Sequence, residues 1–221
     1  MMTILWDIDG TILPSSLERH FFAYLRKHHS SVSLLTTAGA MFRNSLVQWP
    51  PSWYRMKLAY LRGLTVDDVE YRVDRCWEEV IQPTIFPSAV AAIHRLRKKG
   101  SRQVLLTGAP RMLAERVAAY LDLADLIAAE PEIDNGAFTG GVAAPHPRGQ
   151  RKVEYAEQWL RLHGLSWDNT MALGNHYDDR FLLERVTHPV AVNPDRRLTN
   201  LARENGWPVV DPSRPDAFVD L

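Results

Sequence analysis

From Pro87 onward, short apolar runs alternate with amphipathic stretches, and this alternation restricts the fold more than any other feature of the chain. Ser88 to Lys99 has helical spacing and a basic end, and Gly100 closes it. Gln103 to Thr107 reads as an apolar strand, and Gly108-Ala109-Pro110 opens a helix to about Asp122. Leu126–Ala129, Thr170–Leu173 and Pro189–Val192 read as further strands. Gln150–His163, Asp178–Arg185 and Asp195–Glu204 read as helices. Within Ile133–Val142, Asp134-Asn135-Gly136 marks a hairpin turn. A first strand, Thr3 to Ile8, runs into the tight turn Asp7-Ile8-Asp9-Gly10-Thr11. Strands that alternate with helices predict an α/β fold with a parallel sheet, whose ligands bind beyond the carboxyl ends of the strands.

One stretch departs from this pattern. Between Pro14 and Pro83 the spacing is helical, with breakers at Gly39, Pro50-Pro51 and Gly63, and it predicts helices over about 15–30, 33–47, 52–62 and 65–81. Thr65 followed by Asp68 forms a capping pattern. Because the stretch follows the first strand, it reads as an all-helical cap (14–83) inserted into a core made of 1–13 and 84–221. A chain of 221 residues accommodates one domain with such an insert.

Composition excludes several classes. Basic and acidic residues balance at 26 each, which argues against a nucleic-acid binder. A single cysteine excludes a disulfide framework and a cysteine-rich zinc site, and fits a reducing interior. The start of the chain shows neither a basic region nor a long apolar stretch, and no run approaches ~18 apolar residues. The expectation is a cytoplasmic protein.

Four features fall where the sheet would present its strand ends. Asp7 and Asp9 are carboxylates two residues apart, able to divide the roles of nucleophile or metal ligand and of general acid and base; Asp-Gly alone is also a common turn. Thr107-Gly108-Ala109-Pro110 combines a hydroxyl, an unobstructed amide and a helix start into an anion cradle; taken alone it reads rather as an ordinary N-cap threonine. Lys152 could neutralise a phosphate and a carboxylate, with Arg148 and Arg151 as competing choices. Gly174-Asn175-His176-Tyr177-Asp178-Asp179 supplies oxygens suited to a hard cation such as Mg²⁺. Each is weak singly; their order and spacing together carry the inference.

In this order the four resemble the motifs of the haloacid dehalogenase superfamily, and the helical insert resembles its phosphoserine-phosphatase-like subgroup. The resemblance covers nearly the whole chain and implies a Rossmann-like core. It further implies a Mg²⁺-dependent phosphomonoester phosphatase in which Asp7 becomes an aspartyl phosphate and Asp9 protonates the leaving alcohol. Thr107 and the Gly108 amide would bind the phosphoryl oxygens, and Lys152 would stabilise charge on that group and on Asp7. Asp7, the Asp9 carbonyl, Asn175 and Asp179 would hold the metal, with Asp178 as a further acid. Asn175 departs from the pattern, since the family places a metal-binding acid there; an amide still coordinates but carries no charge. A non-catalytic phospholigand-binding protein on the same fold is the alternative that Asn175 supports.

Between Pro14 and Gly63 seven basic side chains face one acid, Glu18. This predicts attraction of an anionic substrate, or equally a set of solvated helix faces. Glu18 with Arg43 or Arg55 could hold a phosphoserine-like metabolite, and His176 could touch the phosphoryl group. The basic and aromatic stretch Gln48–Lys57 could instead lie on a membrane and suit a lipid phosphate. Pro145-His146-Pro147 reads as a rigid loop.

Overall fold

The computed structural model describes residues 1–28 and 58–219. Six parallel strands form its sheet: β1 (Thr3–Trp6), β2 (Arg102–Pro110), β3 (Asp125–Ala129), β6 (Thr170–Gly174), β7 (His188–Val192) and β8 (Val209–Val210). Their order is β3-β2-β1-β6-β7-β8, so β1 is central and the order reverses beside it. A separate antiparallel hairpin joins β4 (Pro131–Asp134) and β5 (Ala137–Val142). The described α-helices are α1 (Leu17–His28), α2 (Val66–Cys76), α3 (Pro87–Lys98), α4 (Arg111–Tyr120), α5 (Gln150–Leu162), α6 (Arg180–Leu183) and α7 (Arg196–Asn205).

Side-chain alternation along the strands sorts the core into two layers. Ile4, Trp6, Leu105, Leu173, Val190 and Val192 face a cluster completed by α1, α2, α3 and α4. Leu5, Val104, Leu106, Ala172 and Ala191 face the other way, onto α5, α6 and α7. With both faces covered, β1 is fully buried and, Thr3 apart, apolar, as a central parallel strand requires. One polar link crosses the first layer: the Trp6 indole donates to Gln103 Oε1 at 2.8 Å, and Gln103 Nε2 donates to the Ile93 carbonyl at 2.8 Å.

Register positions the site. Trp6 pairs with Leu105 on one side and with Leu173 on the other. Asp7, Thr107 and Gly174 therefore emerge at the same rim of the sheet, next to the point where strand order reverses.

Several boundaries differ from expectation. β2 runs on to Pro110 after a register shift past Leu106, so Pro110 caps α4 rather than entering it. The stretch predicted as a helix over 65–81 ends as an α-helix at Cys76 and continues as a single π turn, Trp77–Ile81. Thr65 caps it as the pattern required, accepting from the Asp68 amide at 3.3 Å. The helix expected over Asp178–Arg185 is a 3-10 turn, Tyr177–Asp179, followed by the short α6. β8 was not foreseen, because two residues offer no periodicity. The helix predicted over 33–47 lies outside the described residues, as does most of 52–62, of which Ala59–Leu61 is a 3-10 turn.

The hairpin turns through Asn135 and Gly136, both at positive φ, as a two-residue turn of its type demands. β5 also bonds residues of the insert: Gly63 N donates to Phe138 O at 2.8 Å, Phe138 N to Leu64 O at 2.9 Å, and Val66 N to Gly136 O at 3.0 Å. No helix among the described residues is long and apolar enough to cross a membrane.

The Trp6–Gln103 bond yields a stability prediction. Trp6→Phe leaves a buried amide oxygen without its donor and also empties part of the space the indole fills, and urea unfolding should show a loss of about 2–4 kcal/mol.

Candidate active site

The turn after β1 is built by backbone constraints. Asp7 N donates to Leu173 O at 3.0 Å, extending the ladder one residue past the strand. The amides of Thr11 and Ile12 then both return to the Ile8 carbonyl, at 3.1 and 2.9 Å. Gly10 lies at φ +76°, and a Cβ there would stand 2.0 Å from Asn175 Nδ2. Only glycine lets the first turn meet the loop after β6 this closely.

Lys152, in the first turn of α5, is the hub. Its Nζ donates to Asp7 Oδ1 and to Asp179 Oδ1, each at 2.7 Å, and all three side chains are buried. Burial disfavours its charge, but Asp179 and Asp7 outweigh this and hold its pKa above the usual lysine value. Burial pushes the Asp7 carboxyl up to about 7; Lys152 opposes the shift, while Asp179 and Asp9 add to it. Neither alternative to the lysine is paired with Asp7: Arg148 lines the same cleft but bonds Asp178 at 2.5 Å, and Arg151 faces Glu154 on the exposed side of α5.

Asp9 Oδ1 accepts from the Leu17 amide at 2.9 Å, so the second carboxylate is fastened to the start of α1. Burial raises its pKa, with the Leu17 amide, the Ser16 hydroxyl, Lys152 and His20 in opposition. Thr107 is buried at the end of the β2 core, and its Oγ1 accepts from the Ala109 amide at 3.0 Å. The hydroxyl thereby turns a lone pair to the chain and keeps its proton to donate.

Asp179 uses both oxygens within the protein. While Oδ1 holds Lys152, Oδ2 accepts from the amides of Asn175 and His176 at 3.1 and 3.0 Å. It thus organises the lysine and the loop. The Asp178 carboxyl, although burial works against it, is held below the usual range by Arg148 and then by His176 and Arg180. His176 Nδ1 accepts from the Asp178 amide at 3.1 Å, so its ring closes the turn. Asp195 ties this loop to the next, accepting from Tyr177 N at 2.8 Å.

These groups line one cleft of about 680 Å³, a size suited to a small ligand. Asp7, Asp9, Thr107, Gly108, Lys152, Asn175, His176, Asp178, Asp179 and Glu18 all reach it. Glu18 also lies near Tyr60, whose phenol is held well above its usual value by burial and by that carboxylate. Arg43 and Arg55 lie outside the described residues, as does the whole of Gln48–Lys57. His146, expected only as part of a rigid loop, also lines the cleft. Its signal was local: a histidine fixed between two prolines six residues before the lysine.

The donors suit a hard cation. Asp7, the Asp9 carbonyl and the Asn175 amide are all oxygen donors, and one lysine faces three buried or partly buried carboxylates. The raised Asp7 pKa comes first from burial, which Lys152 only partly offsets and to which Asp179 and Asp9 add. Among the described residues no three carboxylate, imidazole or thiol side chains converge as a metal cluster, in keeping with an amide at position 175.

Comparison with known proteins places the chain. The family model for haloacid dehalogenase-like hydrolases matches residues 4–184. The chain belongs to that family. A phosphoserine phosphatase of Mycobacterium tuberculosis is 26% identical over 214 residues, covering 93% of this chain and 69% of that protein. A phosphoserine phosphatase of Idiomarina loihiensis is 26% identical over 204 residues, covering 90% and 85%. Among solved structures, a protein of unknown function from Bordetella pertussis Tohama I superposes with a TM-score of 0.81 at 22% identity, covering 96% of this chain and 99% of that one. A phospho-aspartyl intermediate analogue of phosphoserine phosphatase superposes with a TM-score of 0.65 at 18% identity, covering 90% of each chain. The chain is a phosphatase-like hydrolase with the α/β fold of this family.

Asp7→Asn removes one buried carboxylate and leaves Lys152 paired with Asp179. We expect its melting temperature in EDTA to exceed that of the unsubstituted protein, by calorimetry, as befits a site strained for chemistry. An unchanged or lower value would show that Lys152 already balances Asp7.

Proposed function

We propose that the chain is a Mg²⁺-dependent phosphomonoesterase that works through an aspartyl phosphate on Asp7. The observation that carries this reading is the buried Lys152, held at 2.7 Å from both Asp7 and Asp179. It fixes the carboxylate at the sheet rim without discharging it, and a nucleophile in a phosphoryl transfer needs that arrangement.

In the first half-reaction an Asp7 carboxylate oxygen attacks phosphorus, and the bond from phosphorus to the ester oxygen breaks. Asp9 delivers its proton to the departing alkoxide; burial raises its pKa, which favours the protonated form this step needs. In the second, Asp9 takes a proton from water as the water oxygen attacks the aspartyl phosphate. The acyl phosphate bond breaks at phosphorus, inorganic phosphate leaves and the Asp7 carboxylate returns. Thr107 and the Gly108 amide hold the phosphoryl oxygens. Lys152 neutralises charge that spreads over phosphate and Asp7, and Asp179 positions the lysine. Asp7, the Asp9 carbonyl and the Asn175 amide oxygen would hold Mg²⁺, which supplies charge neutralisation at the phosphoryl group when bound.

We infer that the insert expected over residues 14–83 serves as a cap here, a reading supported by Pro14, Ser15, Ser16, Glu18 and Arg19 in the cleft wall. A small phosphorylated metabolite is the substrate class we favour, since Glu18 and Arg19 bring opposite charges to the cleft wall. The relatives named phosphoserine phosphatase support that choice.

Two experiments test the reading. Hydrolysis of an aryl phosphate should require Mg²⁺ and fall to background in Asp7→Asn, while Lys152→Ala should lower kcat on the order of 10²–10³-fold, as loss of a preorganised charge partner does. Folded protein that is inactive with every divalent metal would instead indicate a phospholigand-binding role. Asn175→Asp restores the missing charge and should lower the Mg²⁺ concentration needed for half-maximal rate; no change would remove Asn175 from the metal site.

A further inference from the structure

The loop between β5 and α5 brings an imidazole to the phosphate cradle. His146 is only 6% exposed, yet it belongs to the cleft wall beside Thr107, Gly108 and Lys152. The ring meets Gly108 through its Cε1 edge: that atom lies 2.6 Å from where a Cβ on Gly108 would stand, with Nδ1 at 3.5 Å and Nε2 at 3.6 Å. The imidazole thus fills the space that the missing side chain leaves.

The loop is braced on each side. Pro145 and Pro147 restrict the backbone around the histidine. The Tyr155 hydroxyl donates to the Pro145 carbonyl at 2.6 Å, and the Arg148 amide donates to the His146 carbonyl at 2.9 Å. The Arg148 guanidinium then anchors the loop to Asp178 at 2.5 Å. Such bracing orients a side chain with little entropy left to lose on binding.

Packing alone does not explain the residue. An alanine at 108 facing an aliphatic side chain would fill this space without placing a polar ring in a largely buried position. Demand for donors does explain it. A transferred phosphoryl group spreads charge over three equatorial oxygens, and Lys152 already commits two of its three N–H donors to Asp7 and Asp179. Thr107 and the Gly108 amide supply only two further donors.

We propose that His146 is a phosphoryl-binding residue, donating a ring N–H to a non-bridging oxygen of the phosphate held at Thr107 and Gly108. This rests on the phosphatase reading above. Gly108 is glycine so that the ring can approach.

The test compares His146→Phe, which keeps a ring against Gly108 without a donor, and His146→Gln, which keeps a donor without the ring. Because a hydrogen bond to a charged group is at stake, the phenylalanine variant should raise KM for an aryl phosphate, and Ki for inorganic phosphate, by about tenfold. The glutamine variant should recover part of that loss. Wild-type values in the phenylalanine variant would reduce His146 to a packing residue and overturn the proposal. So would a glutamine variant impaired as much as His146→Ala. Thermal melts establish that each variant is folded, and His146→Leu replaces the phenylalanine variant if that one is not. If the unsubstituted protein hydrolyses no phosphate ester, the phosphatase reading fails on its own. His146 is then judged by calorimetric titration with inorganic phosphate, where equal binding by both proteins, or none by either, overturns the proposal.

Discussion

A single ammonium group joins three separate parts of the chain. Lys152 descends from α5 and bonds Asp7 beyond β1 and Asp179 beyond β6. None of these groups is tolerable alone at its depth, because an unpaired buried charge carries a desolvation cost of several kcal/mol. Together they set the height at which α5 docks on the sheet and the path of the loop after β6. The same contact leaves more negative than positive charge in the cleft, so what organises the fold here also prepares the site for a cation and a phosphoryl group.

The sheet and its helices were largely legible in the sequence, since apolar runs and amphipathic spacing report directly on burial. Thr3–Trp6, Thr170–Gly174 and His188–Val192 lie close to their expected limits for that reason. Boundaries were harder to read where tertiary contacts override local preference. β2 extends to Pro110 because β3 still pairs with it there, and the end of α2 loosens into a π turn where Trp77 packs on Tyr120.

The site was legible as a set of motifs but not as a geometry. Asp7, Asp9, Thr107, Lys152 and Asp179 could be named from spacing, since each sits at a strand end or near a helix start. Nothing in the sequence revealed that Asp179 would commit both oxygens, to Lys152 and to its own loop, or that Asn175 would pack against Gly10, 165 positions away. His146 escaped for a related reason: its neighbour, Gly108, lies 38 positions away in the chain.

The hairpin has a mechanical implication. Through Gly63, Leu64 and Val66 it shares three backbone hydrogen bonds with the insert, and its second strand leads within a few residues to the braced loop before α5. Residues 63–66 are therefore held to the hairpin by backbone hydrogen bonds as well as by the chain itself. A swing of residues 58–66 away from the sheet must either strip those bonds or pull β5 along, and the second course tugs on the segment that ends at Lys152. Any opening of the cleft is in this sense tethered, with the cord tied next to the residue that holds Asp7.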